Sequence, residues 1–351
     1  MKQLQGQLLS WMAVLLWTTL PGCLDIATNT VIHRDGSIDR TVMIEGDSAA
    51  IHERRFPITL GGPWQESTEK IDSRKYRFTA LQHFPDVALL NQSLAGGSGL
   101  TLGIHATLEE RFEWFFTVYR YSEKHASFNH FRALPITEYL TQTEIDLLLN
   151  KESEEEESDT LARDEAERKI EEWWTRNIFE AFLNEFMAGV RSLQSPALSP
   201  DAVMAQKEEL FRSSKEGLSN GNFENIQGIF EKTFGRDAVR NAIASNDEGF
   251  KTFKQRLAFQ QQMLENSYRA TAEMPGLIVG TNAATIEGNS VTWEDFITNG
   301  LISDYELWVE SREINWWMIY LAGIVIILGF LGLIIPLFWK RGMTIPKKAT
   351  E

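Results

Sequence analysis

The chain has 351 residues, a single cysteine and a formal net charge of -15. One cysteine excludes an intrachain disulfide framework and a thiolate zinc cluster, and the acidic excess argues against non-specific nucleic-acid binding, which needs basic patches. Hydrophobic residues at 43% and charged residues at 24% suit a chain with a packed core, and the length allows roughly two domains of ordinary size.

Residues 1–22 read as a secretory signal peptide. Lys2 supplies a short positive start, and an uncharged, mostly apolar run over 8–20 is too short to span a bilayer comfortably. The run ends in Leu20-Pro21-Gly22-Cys23, which is similar to the lipobox of bacterial lipoproteins, in which the cysteine receives a diacylglycerol. Pro21 departs from the small residue usual there. Cys23 is therefore the expected lipidation site.

The region 23–135 reads as β-rich. Apolar and β-branched runs at 25–33 and 37–45 flank Asp35-Gly36, a hairpin signal because glycine accepts the positive φ of the turn. Tyr76, Phe78 and Ala80 alternate with polar residues as one face of a strand, and 86–94 reads as a short helix. After Gly96-Gly97-Ser98-Gly99, the segments 100–108 and 111–122 read as a long β pair. The second is apolar on both faces, so a central position is expected.

The region 136–274 reads as an α-helical insertion. Thr141 with Glu144 fits a capping box. The acidic run 151–159 reads as a solvated face or linker, because it lacks the glycine-punctuated alternation of a calcium loop. A long amphipathic helix follows over 160–193, with Ile170, Trp174, Ile178, Phe182, Phe186 and Val190 recurring every four residues. Further helices are expected at 201–217, 222–234, 237–245 and 248–274.

The region 275–315 returns to strands. Short β runs at 277–279, 284–287 and 289–293 surround the Gly288-Asn289 turn, and Tyr305, Leu307 and Val309 alternate with Glu306, Trp308 and Glu310. The segment 316–339 then has no charged residue over 24 positions. As a helix it would cover about 36 Å, enough to cross a bilayer with some tilt. Trp316, Trp317 and Tyr320 at one end and Trp339, Lys340 and Arg341 at the other are the expected interface residues. Lys347 and Lys348 follow in the tail 340–351, whereas Asp304, Glu306, Glu310 and Glu313 precede the span. The positive-inside rule then puts the tail in the cytoplasm and the preceding domain outside a bacterial cytoplasmic membrane. Lys2 is the only charge before Cys23, so the acidity belongs to the domain between the two anchors.

The fold class expected from these elements is α+β: a β-sheet domain built from the N- and C-terminal segments, an inserted α-helical block, and one C-terminal transmembrane helix. The chemistry search is thin. G-x-S-x-G, the dinucleotide fingerprint, the phosphate loop and H-E-x-x-H are all absent, and no catalytic residue, metal set or cofactor is assigned. His125 and His130 are separated by five residues, which favours ordinary side chains over a metal pair. Trp64, Trp114 and Trp293 in the β regions are the candidate ligand-lining residues for a lipid or glycan cleft, although strand aromatics are more often core.

Cys23, Asp35-Gly36, Pro275-Gly276, Thr281-Asn282, Gly288, Val291-Thr292-Trp293 and the 316–339 span together resemble the bacterial envelope lipoproteins that carry an LppM-type domain. The resemblance covers the β parts and both anchors, about half of the chain; the helical block has no counterpart in the shorter members. It implies an envelope lipoprotein with a β-rich binding domain and no established catalytic residues. The expected role is non-catalytic: ligand binding or protein scaffolding. A glycan- or lipid-acting hydrolase using acidic residues such as Glu109, Glu110 and Glu113, and an accessory subunit of a membrane complex, stand as alternatives. The expected partners are membrane lipid, through the diacylglycerol anchor and the bilayer, and an envelope protein or a lipid or glycan ligand, with no nucleic acid.

Overall fold

The computed structural model describes residues 24–60, 62–95, 100–149, 157–193, 198–219, 223–294 and 297–342. The signal segment, Cys23, most of the acidic run and the tail beyond residue 342 lie outside the described residues. The chain begins with β1 (Asp25–Ile32), β2 (Ile38–Asp47), α1 (Ser48–His52), β3 (Gln65–Lys70), β4 (Lys75–Phe84), α2 (Val87–Ala95), β5 (Ile104–Glu113) and β6 (Phe116–His125). Helices α3 (Gln142–Leu149), α4 (Glu157–Leu193), α5 (Pro200–Ala205), α6 (Lys207–Ser219), α7 (Phe223–Phe234), α8 (Arg236–Ser245) and α9 (Asp247–Glu265) follow. The chain closes with β7 (Ser267–Glu273), β8 (Leu277–Thr281), β9 (Thr285–Glu287), β10 (Ser290–Glu294), α10 (Ile297–Ile302), β11 (Tyr305–Ile314) and α11 (Trp316–Gly342).

The architecture is α+β, with strands from both ends of the chain and helices between them. The strands form two sheets rather than one. The larger has the order β3-β4-β2-β1-β7-β10-β9 and the smaller β5-β6-β11-β8. Both contain early and late strands, so neither can be completed until the whole helical block has been made. In the larger sheet β1 runs parallel to β7, pairing Ile26 with Tyr268. In the smaller, β11 runs antiparallel to β6, pairing Ile314 with Phe116.

Period-two burial explains how the sheets stack. Ile38, Arg40, Val42 and Ile44 of β2 are buried on alternate positions, and β6, buried on both faces, has Tyr119, Tyr121, Glu123 and His125 along one of them. These two rows face each other, and β6 is central in its sheet, as its apolar character predicts. The predicted turns at Asp35-Gly36 and Gly288-Asn289 are present, with φ of +80° at Gly36 and +66° at Gly288.

Besides 201–217, read as one helix but formed as α5 and α6, two boundaries differ from the sequence reading. Helix α9 ends at Glu265, and 267–273, read as its last turns and as part of the insertion, is strand β7. Tyr268, Ala270 and Ala272 point inward on alternate positions, a strand period hidden by the helix-forming alanines. Asn266 fixes the break, its Oδ1 accepting from the Leu24 amide at 2.9 Å. The second difference is the turn of the long hairpin. It falls at Trp114-Phe115 rather than at Glu109-Glu110, and Trp114 takes the left-handed φ of +49°.

The helical block surrounds α4. Phe182, fully buried, touches the rings of Phe186, Phe223, Phe230, Phe250 and Phe253. The predicted stripe of α4 is core from Trp174 to Val190, with Ile170 partly buried. The block joins the strands through Trp173, whose indole donates to the Leu134 carbonyl at 2.9 Å, and through Phe131 against Phe253. Thr141 and Glu144 form the expected capping box, the Thr141 amide donating to Glu144 Oε2 at 2.8 Å.

Candidate functional site

Strand β11 runs into α11 through Asn315. Residues Trp316–Ile335 of this helix have a mean hydropathy of 2.8, and only 6% of the window is buried against the rest of the protein. The helix is long and apolar enough to cross a membrane. Trp316, Trp317 and Tyr320 are exposed at its start. Trp339, Lys340 and Arg341 lie in its last turns.

The tip of the β5–β6 hairpin is bound to this junction. The Asn315 amide donates to the Phe115 carbonyl at 2.8 Å, and its side-chain Nδ2 donates to the Trp114 carbonyl at 3.1 Å. Thr117 Oγ1 donates to Asn315 Oδ1 at 3.0 Å. Phe112 stacks on Trp317 with ring centroids 6.0 Å apart.

Beside the junction lies a groove of about 740 Å³. Phe116, Tyr119, Leu277, Val279, Ile314 and Trp317 give it apolar walls, while Arg34, Arg312 and Glu313 bring charge to it. Gly276 is required at this place. Its φ is +83°, and a Cβ there would meet the Arg312 carbonyl oxygen at 2.3 Å. Arg34 pairs with Glu313, and the Tyr119 hydroxyl donates to the Arg34 carbonyl at 3.2 Å. Burial, together with Glu110 and Glu313, pushes the Tyr119 phenol up, so it is a neutral donor at ordinary pH.

A second polar assembly lies between the sheets. Arg40 of β2 donates to Thr30 of β1 and to Glu123 of β6, with a second contact from Nη2 to Oε2 at 3.2 Å. The Tyr121 hydroxyl donates to Glu123 at 2.7 Å, and His125 Nε2 lies 3.4 Å from the same carboxylate. Burial works to raise the Glu123 carboxyl, but Arg40 and His125 outweigh it and hold it well below the usual range. This assembly ties the sheets together and has no opening to a groove in the described residues: Arg40, Tyr121, Glu123 and His125 are all buried.

The three tryptophans singled out from sequence are not brought together. Trp64 is buried against Phe84, its indole donating to Ser93 Oγ at 3.1 Å. Trp293 is buried and donates to Asn282 Oδ1 at 3.0 Å. Trp114 is 70% exposed on the hairpin tip. His125 stacks on Tyr305 while His130 packs on Phe259, so the two histidines take different partners. Among the described residues, no group of three or more metal-ligating side chains is gathered. The groove was missed from sequence because its walls come from four separated stretches of chain. Pro275-Gly276 and the interface residues Trp316 and Trp317 were the local signals near it.

No family model matches this chain, and no curated protein matches it in sequence. Among solved structures, the folded domain of the Mycobacterium tuberculosis LppM protein aligns with 84% of this chain and 94% of that domain. The identity is 8% and the TM-score 0.29, a weak likeness that carries no functional weight.

Proposed function

We propose that this protein is a membrane-anchored envelope lipoprotein whose extracytoplasmic domain is non-catalytic and binds an amphiphilic lipid in the groove at the start of α11. The observation that carries the reading is the groove itself: about 740 Å³, apolar along Leu277, Val279 and Ile314, and placed against Trp316 and Trp317 of the apolar helix. That volume is in the range of small-molecule sites. Acyl chain would lie along the apolar wall, and an anionic head would meet Arg312, with Arg34 held beside it by Glu313. In this reading the helix spans the cytoplasmic membrane with the tail inside, because Lys340 and Arg341 follow it and acids precede it. Cys23 carries the second, lipid anchor. The helix alone would hold the protein in the membrane, and the lipid at Cys23 would tether the other end of the exposed domain to the same surface.

The test is lipid retention by the full chain purified in mild detergent. Native mass spectrometry of the wild type should show a bound phospholipid. Val279→Glu, at a half-exposed groove position, should abolish it, and Ile286→Glu, at a comparably exposed position on β9, should leave it unchanged. Equal retention by all three proteins, or none by the wild type, would refute the reading.

A further inference from the structure

Exposed aromatic side chains are concentrated at one place. Outside α11, the exposed phenylalanines and tryptophans among the described residues are Phe112, Trp114, Phe115 and Phe116, all on the tip of the β5–β6 hairpin. Leu277 and Ile314 are exposed beside them. Exposed aromatics in such a cluster mark a contact surface, and the question is what covers it.

The helix junction answers it. The tip is hydrogen-bonded to Asn315, the residue before α11, and Phe112 is stacked on Trp317 in the first turn. A bilayer crossed by α11 therefore begins at the level of the hairpin tip. The backbone is also prepared for such a place. A turn entering an apolar phase must have its carbonyls satisfied internally, since water is not there to do it. Asn315 accepts this task for the carbonyls of Trp114 and Phe115, at 3.1 and 2.8 Å. The single charge within 112–116, Glu113, is paired with Arg111 at 2.9 Å.

We infer that the β5–β6 hairpin is an interfacial wedge: Trp114 and Phe115 enter the headgroup and upper acyl region of the outer leaflet and fix the domain against the membrane face. The occupant is the lipid surface, because the patch is continuous with the apolar helix. Tryptophan and phenylalanine suit that depth, with large apolar faces and, for tryptophan, an N–H that can meet the headgroups. The wedge would hold the groove open at the lipid boundary. It rests on the reading that α11 spans the bilayer.

The experiment uses the full chain with Cys23→Ser, so that one engineered thiol carries a nitroxide spin label, reconstituted into phosphatidylcholine vesicles. Labels are placed in turn at Phe115→Cys, at Phe112→Cys and at Met204→Cys, the last exposed on the helical block as the aqueous reference. Flotation with the vesicles after an alkaline carbonate wash first tests the span. If the protein is stripped off, the spanning reading fails and the wedge falls with it. If it floats, collision of the label with oxygen and with a water-soluble nickel chelate tests the wedge. Labels at Phe115 and Phe112 should meet nickel several-fold less, and oxygen more, than the label at Met204. Nickel access at both hairpin positions equal to that at Met204 would overturn the wedge while leaving the span intact.

Discussion

Arg40 and Glu123 meet across the interface between the two sheets, and both side chains are buried. Each stands on the face of its own sheet that meets the other. Arg40 stands opposite Thr30 in the larger sheet, and Glu123 stands opposite Ala106 and Leu307 in the smaller one. Ala106 and Leu307 add no partner of their own, so Arg40, Tyr121 and His125 satisfy the carboxylate.

Removing one member should therefore cost more than removing both. Arg40→Leu leaves a buried carboxylate without its main counter-charge, and the expected loss is about 3–5 kcal/mol of stability. The double variant Arg40→Leu with Glu123→Leu should recover a large part of that. Thermal unfolding of the three proteins in one detergent measures it. A double variant as unstable as the single one would show that the pair is not the cause.

The same pair sets an acid dependence. The Glu123 carboxyl titrates below its usual value in the fold and near 4.5 in the unfolded chain. Its contribution is complete above pH 4.5 and fades as pH falls below that value, because the unfolded state then takes up the proton first. In Arg40→Leu burial loses its main counterweight while His125 remains, so the carboxyl rises toward its usual value and the acid dependence should flatten. Unfolding midpoints between pH 3 and 7, taken on wild type and variant, give both slopes directly.

Asn282 is the polar link between the sheets on the C-terminal side. Its Oδ1 accepts from the Trp293 indole at 3.0 Å and from the Trp308 amide at 2.8 Å, and its Nδ2 donates to the Glu306 carbonyl at 2.7 Å. Asn282→Ala strands the buried indole N–H, and the expected cost is about 1–3 kcal/mol. Asn282→Asp keeps the acceptor but loses the donor, so it should fall between wild type and alanine. Chemical denaturation followed by circular dichroism checks the order.

These residues also show why part of the sequence was readable and part was not. The hairpin at Asp35-Gly36, the capping box at Thr141 and Glu144, and the stripe of α4 are local patterns, and each appears where periodicity or turn chemistry requires it. Asn282 and Trp293, singled out only as part of the motif that carries the family resemblance, make the inter-sheet link, which spacing along the chain does not show. Strand β7 was hidden because alanines at 270 and 272 fit helix and strand alike, and only its place between β1 and β10 selects the strand. Trp64 and Trp293 looked the same in sequence as Trp114, yet two are core and one is exposed.

The sequence by itself determined the fold class, the long amphipathic helix and the apolar segment at 316–339, because each is written in the spacing of neighbouring residues. The tertiary structure alone decided that the strands form two sheets, that Arg40 and Glu123 meet between them, and that a groove and an aromatic hairpin tip gather at Asn315. Those depend on strand order and register, which bring together residues 242 positions apart, as at Leu24 and Asn266. No local pattern encodes such pairings, since the free energy that selects them comes from burying whole faces at once.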